Sequence, residues 1–143
     1  MDERPNGRET GIDDERTDAL VSAIRTSLGD SLRSVVYFTP SAFDVLYVRQ
    51  DLYASDDAAR EAKAELVDLE RVGFAERPVR TRLARRESGS EIGAYGFTIR
   101  AHEDGFVVRA LEGDAGVLLT ADGMDVSAFE EAITAVRGVC RSG

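Results

Sequence analysis

Two arginines and a histidine late in the chain have the types and spacing to hold an anion. Arg100 and Arg109 flank Asp104-Gly105, a dipeptide favoured in two-residue hairpin loops because a type I′ turn needs positive φ at both central positions. With that pair as the turn, His102 faces Val107, Ala101 faces Val108 and Arg100 faces Arg109. One face of the hairpin then holds Phe97, Ile99, Ala101, Phe106, Val108 and Ala110, all apolar. The other holds Thr98, Arg100, His102, Val107, Arg109 and Leu111. Guanidinium groups directly opposite one another repel unless negative charge lies between them. An anionic ligand, a partner protein or one of the chain's own 27 carboxylates could supply it.

A second basic group, Arg77, Arg80, Arg82, Arg85 and Arg86, could meet a phosphate or an acidic partner. Arg82, Arg85 and Arg86 would share a helix face. The competing reading pairs these arginines with the acidic helices of the same chain. No aromatic residues interleave with them for base stacking.

Other chemistry finds little support. His102 is the only histidine and Cys140 the only cysteine, so no multi-cysteine metal site or internal disulfide can form. No nucleophile stands at a recognisable spacing from His102. Gly93-Ala94-Tyr95-Gly96 lacks the lysine of a phosphate loop and runs into a strand. Asp122-Gly123-Met124-Asp125 lacks the further acids of a calcium loop. Ser41, Ser88 and Ser90 have no nearby base. Accordingly no catalytic residue, metal or cofactor is expected, although an enzyme is not excluded.

These residues need elements to position them. Asp13, Asp14 and Glu15 suit the start of a helix; Leu20, Val21, Ile24 and Leu28 recur at helical spacing, and Gly29 offers a stop. Leu32 to Phe38 and Phe43 to Val48 form a hairpin around Thr39-Pro40-Ser41-Ala42, since proline already has the φ of a turn. A second helix follows over Asp56 to Arg71, with Ala59, Ala62, Leu66 and Leu69 as its stripe and Gly73 as its end. Residues 75–95 read as a connection with a short helical piece at Val79 to Arg86. Strands are expected at Phe97 to Glu103, Phe106 to Leu111 and Gly116 to Ala121. Ser127 and Glu130 form a capping box that opens a last helix with Phe129, Ile133, Val136 and Cys140 on one face.

The order α-β-β-α-β-β-β-α predicts one α/β (α+β) domain over residues 13–141. Its sheet has five mostly antiparallel strands covered by helices. Residues 1–12, charged and without apolar periodicity, are expected to be a disordered arm. The first hairpin is apolar on both sides: Val35 and Tyr37 point one way, Val36 and Phe38 the other. Both faces must therefore be covered, the second by another helix or by a second copy of the protein.

Composition narrows the milieu. The chain of 143 residues carries a net charge of −9, which disfavours nucleic acid and anionic membranes as partners. Of its 18 basic residues only Lys63 is lysine; the rest are arginine, whose planar fork pairs with carboxylates. An acidic, arginine-for-lysine surface suits a salt-adapted cytoplasm, where salt screens the mutual repulsion of carboxylates; a GC-rich genome would give a similar bias. No apolar run approaches the about 18 residues of a membrane span, and the first residues lack the apolar core of a signal peptide.

Two resemblances follow. The element order is similar to the roadblock/LC7 (profilin-like) class over most of residues 13–141, which implies a small dimer-forming domain with a regulatory or scaffold role. The run VLYVRQDL, with the later hairpin and the acidic arginine-rich body, resembles small haloarchaeal proteins of unknown function. The expected function is a non-catalytic module acting through contacts with an unknown protein partner or as a homodimer. The alternative is a small anionic-ligand sensor or enzyme built around Arg100, Arg109 and His102, with Tyr37 or Tyr47 alongside.

Overall fold

A computed structural model describes residues 8–85, 92–123 and 125–142. Helix α1 (Asp14–Leu28) starts under an Asp13 cap, whose carboxylate accepts from Arg16 N, and ends at Gly29 with φ 59°. A 3-10 turn leads into β1 (Leu32–Phe38) and β2 (Phe43–Val48), joined by a turn closed by Thr39 N donating to the Ala42 carbonyl at 2.8 Å. Then come α2 (Asp56–Glu70), α3 (Val72–Ala75) and α4 (Arg77–Ala84), followed by β3 (Thr98–His102), β4 (Gly105–Glu112), β5 (Ala115–Ala121) and α5 (Val126–Ser142).

The five strands form one sheet in the order β2-β1-β5-β4-β3, with every neighbouring pair antiparallel. This is the expected α+β architecture. Strand β1 is buried on both sides, as its two-sided apolarity requires. Val35 and Tyr37 join the larger core, under Leu20, Ile24 and Leu28 of α1 and Phe129, Ile133 and Val136 of α5. Val36 and Phe38 join a smaller core with Val67 of α2 and Phe74 of α3. The second cover is thus a set of helices from the same chain.

Three local expectations change. The last helix is capped two residues before the Ser127–Glu130 box: Asp125 accepts from Ala128 N at 3.2 Å. The stripe that α2 buries is Ala59, Lys63, Val67 and Glu70, while Leu69 stands 56% exposed. A regular helical stride set by the Ser55 cap overrides the apolar count. Finally, part of the expected arm is docked. Asp44 on β2 accepts from Glu9 N at 2.9 Å, from Thr10 N at 2.8 Å and from Thr10 Oγ1 at 2.6 Å, and Ile12 enters the core. A buried edge carboxylate needs donors, and this segment supplies them. Residues 1–7, the remainder of that arm, lie outside the described residues, as does Arg86.

Candidate functional site

The β3–β4 hairpin forms with a register different from the one its Asp-Gly dipeptide favours. His102 pairs with Gly105, Arg100 with Val107 and Thr98 with Arg109, so the loop is Glu103-Asp104. Among the described residues no residue other than glycine has positive φ, and Gly105 is not among the glycines that do. The glycine serves packing instead. A Cβ there would lie 2.7 Å from the Ala121 carbonyl oxygen and 2.7 Å from Arg33 Nη1. The next hairpin does use a glycine turn: Glu112 pairs with Ala115, and Gly113 opens the loop with φ 62°, the type II′ pattern.

The slip moves β3 by two residues along β4, and a shift of two keeps every side chain on its own face. Arg100 and Arg109 therefore still share the face towards α2, but diagonally rather than directly opposite. Between them stands Glu70 of α2, fully buried. Its Oε2 accepts from Arg100 Nε at 2.5 Å and its Oε1 from Arg109 Nη1 at 3.1 Å. The charge that the two arginines require is supplied from within the chain.

Arg109 is only 2% exposed, so its cation must be compensated from all sides. Nη1 also donates to the Glu70 carbonyl at 3.3 Å. Nη2 donates to Thr98 Oγ1 at 3.0 Å, Glu76 Oε1 at 3.2 Å and Tyr95 Oη at 3.3 Å, while Nε has no partner among the described residues. Burial opposes the charge, but the contacts with Tyr95, Glu70 and Glu76 outweigh it, and the Arg109 pKa rises. Gly73 makes room for this group, because a Cβ there would stand 2.6 Å from the guanidinium carbon. Gly73, which the sequence marks as a helix end, lies inside α3 as the floor under Arg109.

The other candidate residues are dispersed. His102 is exposed at the end of β3. It lines a shallow depression with Arg33, Glu103, Asp104 and Thr120 rather than one with Arg100 and Arg109. Tyr37 and Tyr47 pack against the core on the α1/α5 face, across the sheet from both arginines. In the Arg77–Arg86 group, Arg77 donates to the Gly113 carbonyl and lies 3.7 Å from Asp114. Arg80 pairs with Glu76 at 3.1 Å and lies over the Tyr95 ring at 4.3 Å. Arg82 and Arg85 are exposed on α4 and at its end, and their side chains form no ion pair among the described residues. Among the described residues, Arg77 and Arg80 thus meet carboxylates of the same chain, in the β4–β5 loop and at the start of α4.

Sequence reasoning missed Lys63, Glu70 and Gly73, which dictate the character of the α2 face. Lys63 is 6% exposed and seven positions before Glu70 on the same buried stripe. Burial, reinforced by the nearby Arg33 guanidinium, lowers its pKa to about 8. The available signal was the four-residue stride from Ala59 to Lys63 to Val67, which apolar counting hides.

The model of the family described as "Domain of unknown function (DUF7522)" matches residues 18–141. The chain belongs to this family. No curated protein matches it. Among solved structures, the gliding protein MglB from Thermus thermophilus is similar with a TM-score of 0.55 at 16% identity, over 90% of this chain and 91% of that one. At that identity the likeness concerns the fold alone, and it agrees with the single α+β domain described above. Among the described residues of this DUF7522 chain, no helix is long and apolar enough to cross a membrane. Nor does any group of three or more His, Cys, Asp or Glu side chains among them assemble to hold a metal ion.

Proposed function

We propose that the chain is a non-catalytic regulatory or scaffold module that works by protein–protein contact, with a second copy of itself as partner, in a salt-adapted cytoplasm. The observation that carries this reading is the outer surface of the α2–α4 cover. Leu69, Val72, Val79 and Leu83 are 56%, 44%, 47% and 43% exposed on three consecutive helices, beside Arg82 and Arg85, which no acid among the described residues meets. Apolar side chains with arginines among them are the composition of a contact surface. The acidic chain offers carboxylates for those arginines, and the net charge of −9 makes the association dependent on salt. The roadblock-like fold supports the same reading by analogy alone.

Light scattering in molar potassium chloride tests it. The expected mass is that of a dimer for the native chain and of a monomer for Leu69→Glu combined with Leu83→Glu. A native monomer at every concentration and salt would remove the homodimer. The alternative, a small anionic-ligand sensor or enzyme at Arg100, Arg109 and His102, requires a ligand to displace Glu70 from both arginines and to reach His102 beside Arg33.

A further inference from the structure

Lys63 is the only lysine of the chain, and it is treated unlike the other well-buried charges. It is 6% exposed, yet among the described residues no carboxylate lies within salt-bridge distance of its ammonium and no acceptor takes a hydrogen bond from it. Its ammonium stands 5.8 Å from the centroid of the Tyr53 ring. The chain has 27 carboxylates, and the described residues place none of them here. An ammonium at the end of a largely buried side chain, with no counter-charge beside it, is costly, and the cost falls when an anion arrives.

The surroundings are shaped to receive one. Lys63 borders a hollow of about 270 Å3 together with Arg33, Thr120, Tyr53 and Leu52. Arg33 is anchored, its Nε 3.2 Å from Asp122 Oδ1 and its Nη1 donating to the Asp104 carbonyl at 3.1 Å. Neither contact uses its Nη2. Thr120 Oγ1 and Ser34 Oγ are 2.5 Å apart; that contact uses one hydroxyl hydrogen, leaving the pair a second for another acceptor. Asp122, which meets Arg33 through Nε, is shared with Arg49 at 2.8 Å. Two cations and a hydroxyl thus converge on open space with no acid in the lining.

We propose that the hollow between Lys63 of α2, Arg33 of β1 and Thr120 of β5 binds a small oxyanion of the phosphate or sulfate type. Arg33 offers a planar donor fork and Lys63 a point charge, complementary ways of holding a tetrahedral anion. The Tyr53 and Leu52 wall leaves room for an apolar substituent on it. This site is separate from the contact surface of α4 and does not rest on it.

A single lysine makes the test selective. Protein labelled with 15N-lysine shows one side-chain resonance, which is followed while sodium phosphate, sodium sulfate or sodium chloride is added at constant ionic strength. A saturable shift with phosphate or sulfate is expected. Calorimetry should show that affinity falls at least about tenfold in Lys63→Met and in Arg33→Met, and stays unchanged in Arg82→Ala. Three results would overturn the proposal: no saturable shift with either oxyanion at tens of millimolar, equal binding in Lys63→Met, or chloride saturating the signal as well as the oxyanions do. The last would make it a halide site. Near-native circular dichroism of both variants separates lost binding from lost folding.

Discussion

Helix α2 buries two charged side chains seven residues apart and treats them in opposite ways. At its end, Glu70 is fully buried and binds two arginines. Near its middle, Lys63 is almost as buried and meets no acid among the described residues. The first arrangement is closed: the Arg109 guanidinium is met by several oxygens, and Gly73 is bare so that it can lie against the helix. The second is open, with a cation held at a hollow whose lining carries no negative charge. A buried ion pair fixes the register of the elements it joins; a buried unpaired ion is a reservoir of unfavourable energy that binding can release. Val67, a member of the smaller core with Val36, Phe38 and Leu118, stands between the two on the α2 stripe.

The largest way to break this contrast is Glu70→Leu. It leaves the buried Arg109 cation with Glu76 as its one carboxylate among the described residues, and chemical denaturation should show a loss of about 3–5 kcal/mol. Adding Arg109→Met should recover much of that loss; a double variant as unstable as the sum of the two single ones would show that no coupling exists.

Lys63→Met should act with the opposite sign. The folded-state pKa of about 8 lies below the ordinary 10.5, so the unfolded chain binds more protons between those values. Stability should therefore rise as pH rises from about 8 to 10.5, by up to about 3 kcal/mol. Below that window Lys63 is charged in both states and the full penalty is present. In Lys63→Met the rise should vanish, and stability at neutral pH should match or exceed that of the native chain. A native chain whose stability does not rise across this window relative to Lys63→Met would show that Lys63 is not desolvated.

Gly73→Ala sharpens the closed end alone. The new methyl group must push the guanidinium off its acceptors, with an expected loss of about 1–3 kcal/mol and no change in the Lys63 resonance. The smallest effect should come from Asp44→Asn, at the far edge of the sheet. Weakening its three bonds to residues 9 and 10 should cost about 1 kcal/mol, read as faster amide exchange at Glu9 and Thr10.

Much of the scaffold was legible from local chemistry. The Asp13 cap, the Gly29 stop, the proline turn and the alternating strands each declare themselves within a few residues, and the two-sided apolarity of β1 announced a sheet covered twice. Where the reading slipped, the deciding partner was distant in sequence. Asp104-Gly105 carried a turn signal, but the carbonyl of Ala121 and the side chain of Arg33 claimed the space beside the glycine. Leu69 looked like core, but the face of α2 that meets the sheet carries Lys63 and Glu70.

Sequence alone determined the order of the five strands and of α1, α2 and α5, but not α3; it also determined the α+β class and the strongly acidic, arginine-rich character, because period, turn residues and charge are properties of short stretches. It also showed that Arg100 and Arg109 share a face, since alternation survives a two-residue slip. Only the tertiary structure decided what lies between them and what does not lie beside Lys63. Those outcomes depend on where one helix crosses a sheet, at a point where Val67 and Phe74 pack with Val36 and Phe38 of β1 and Leu118 of β5.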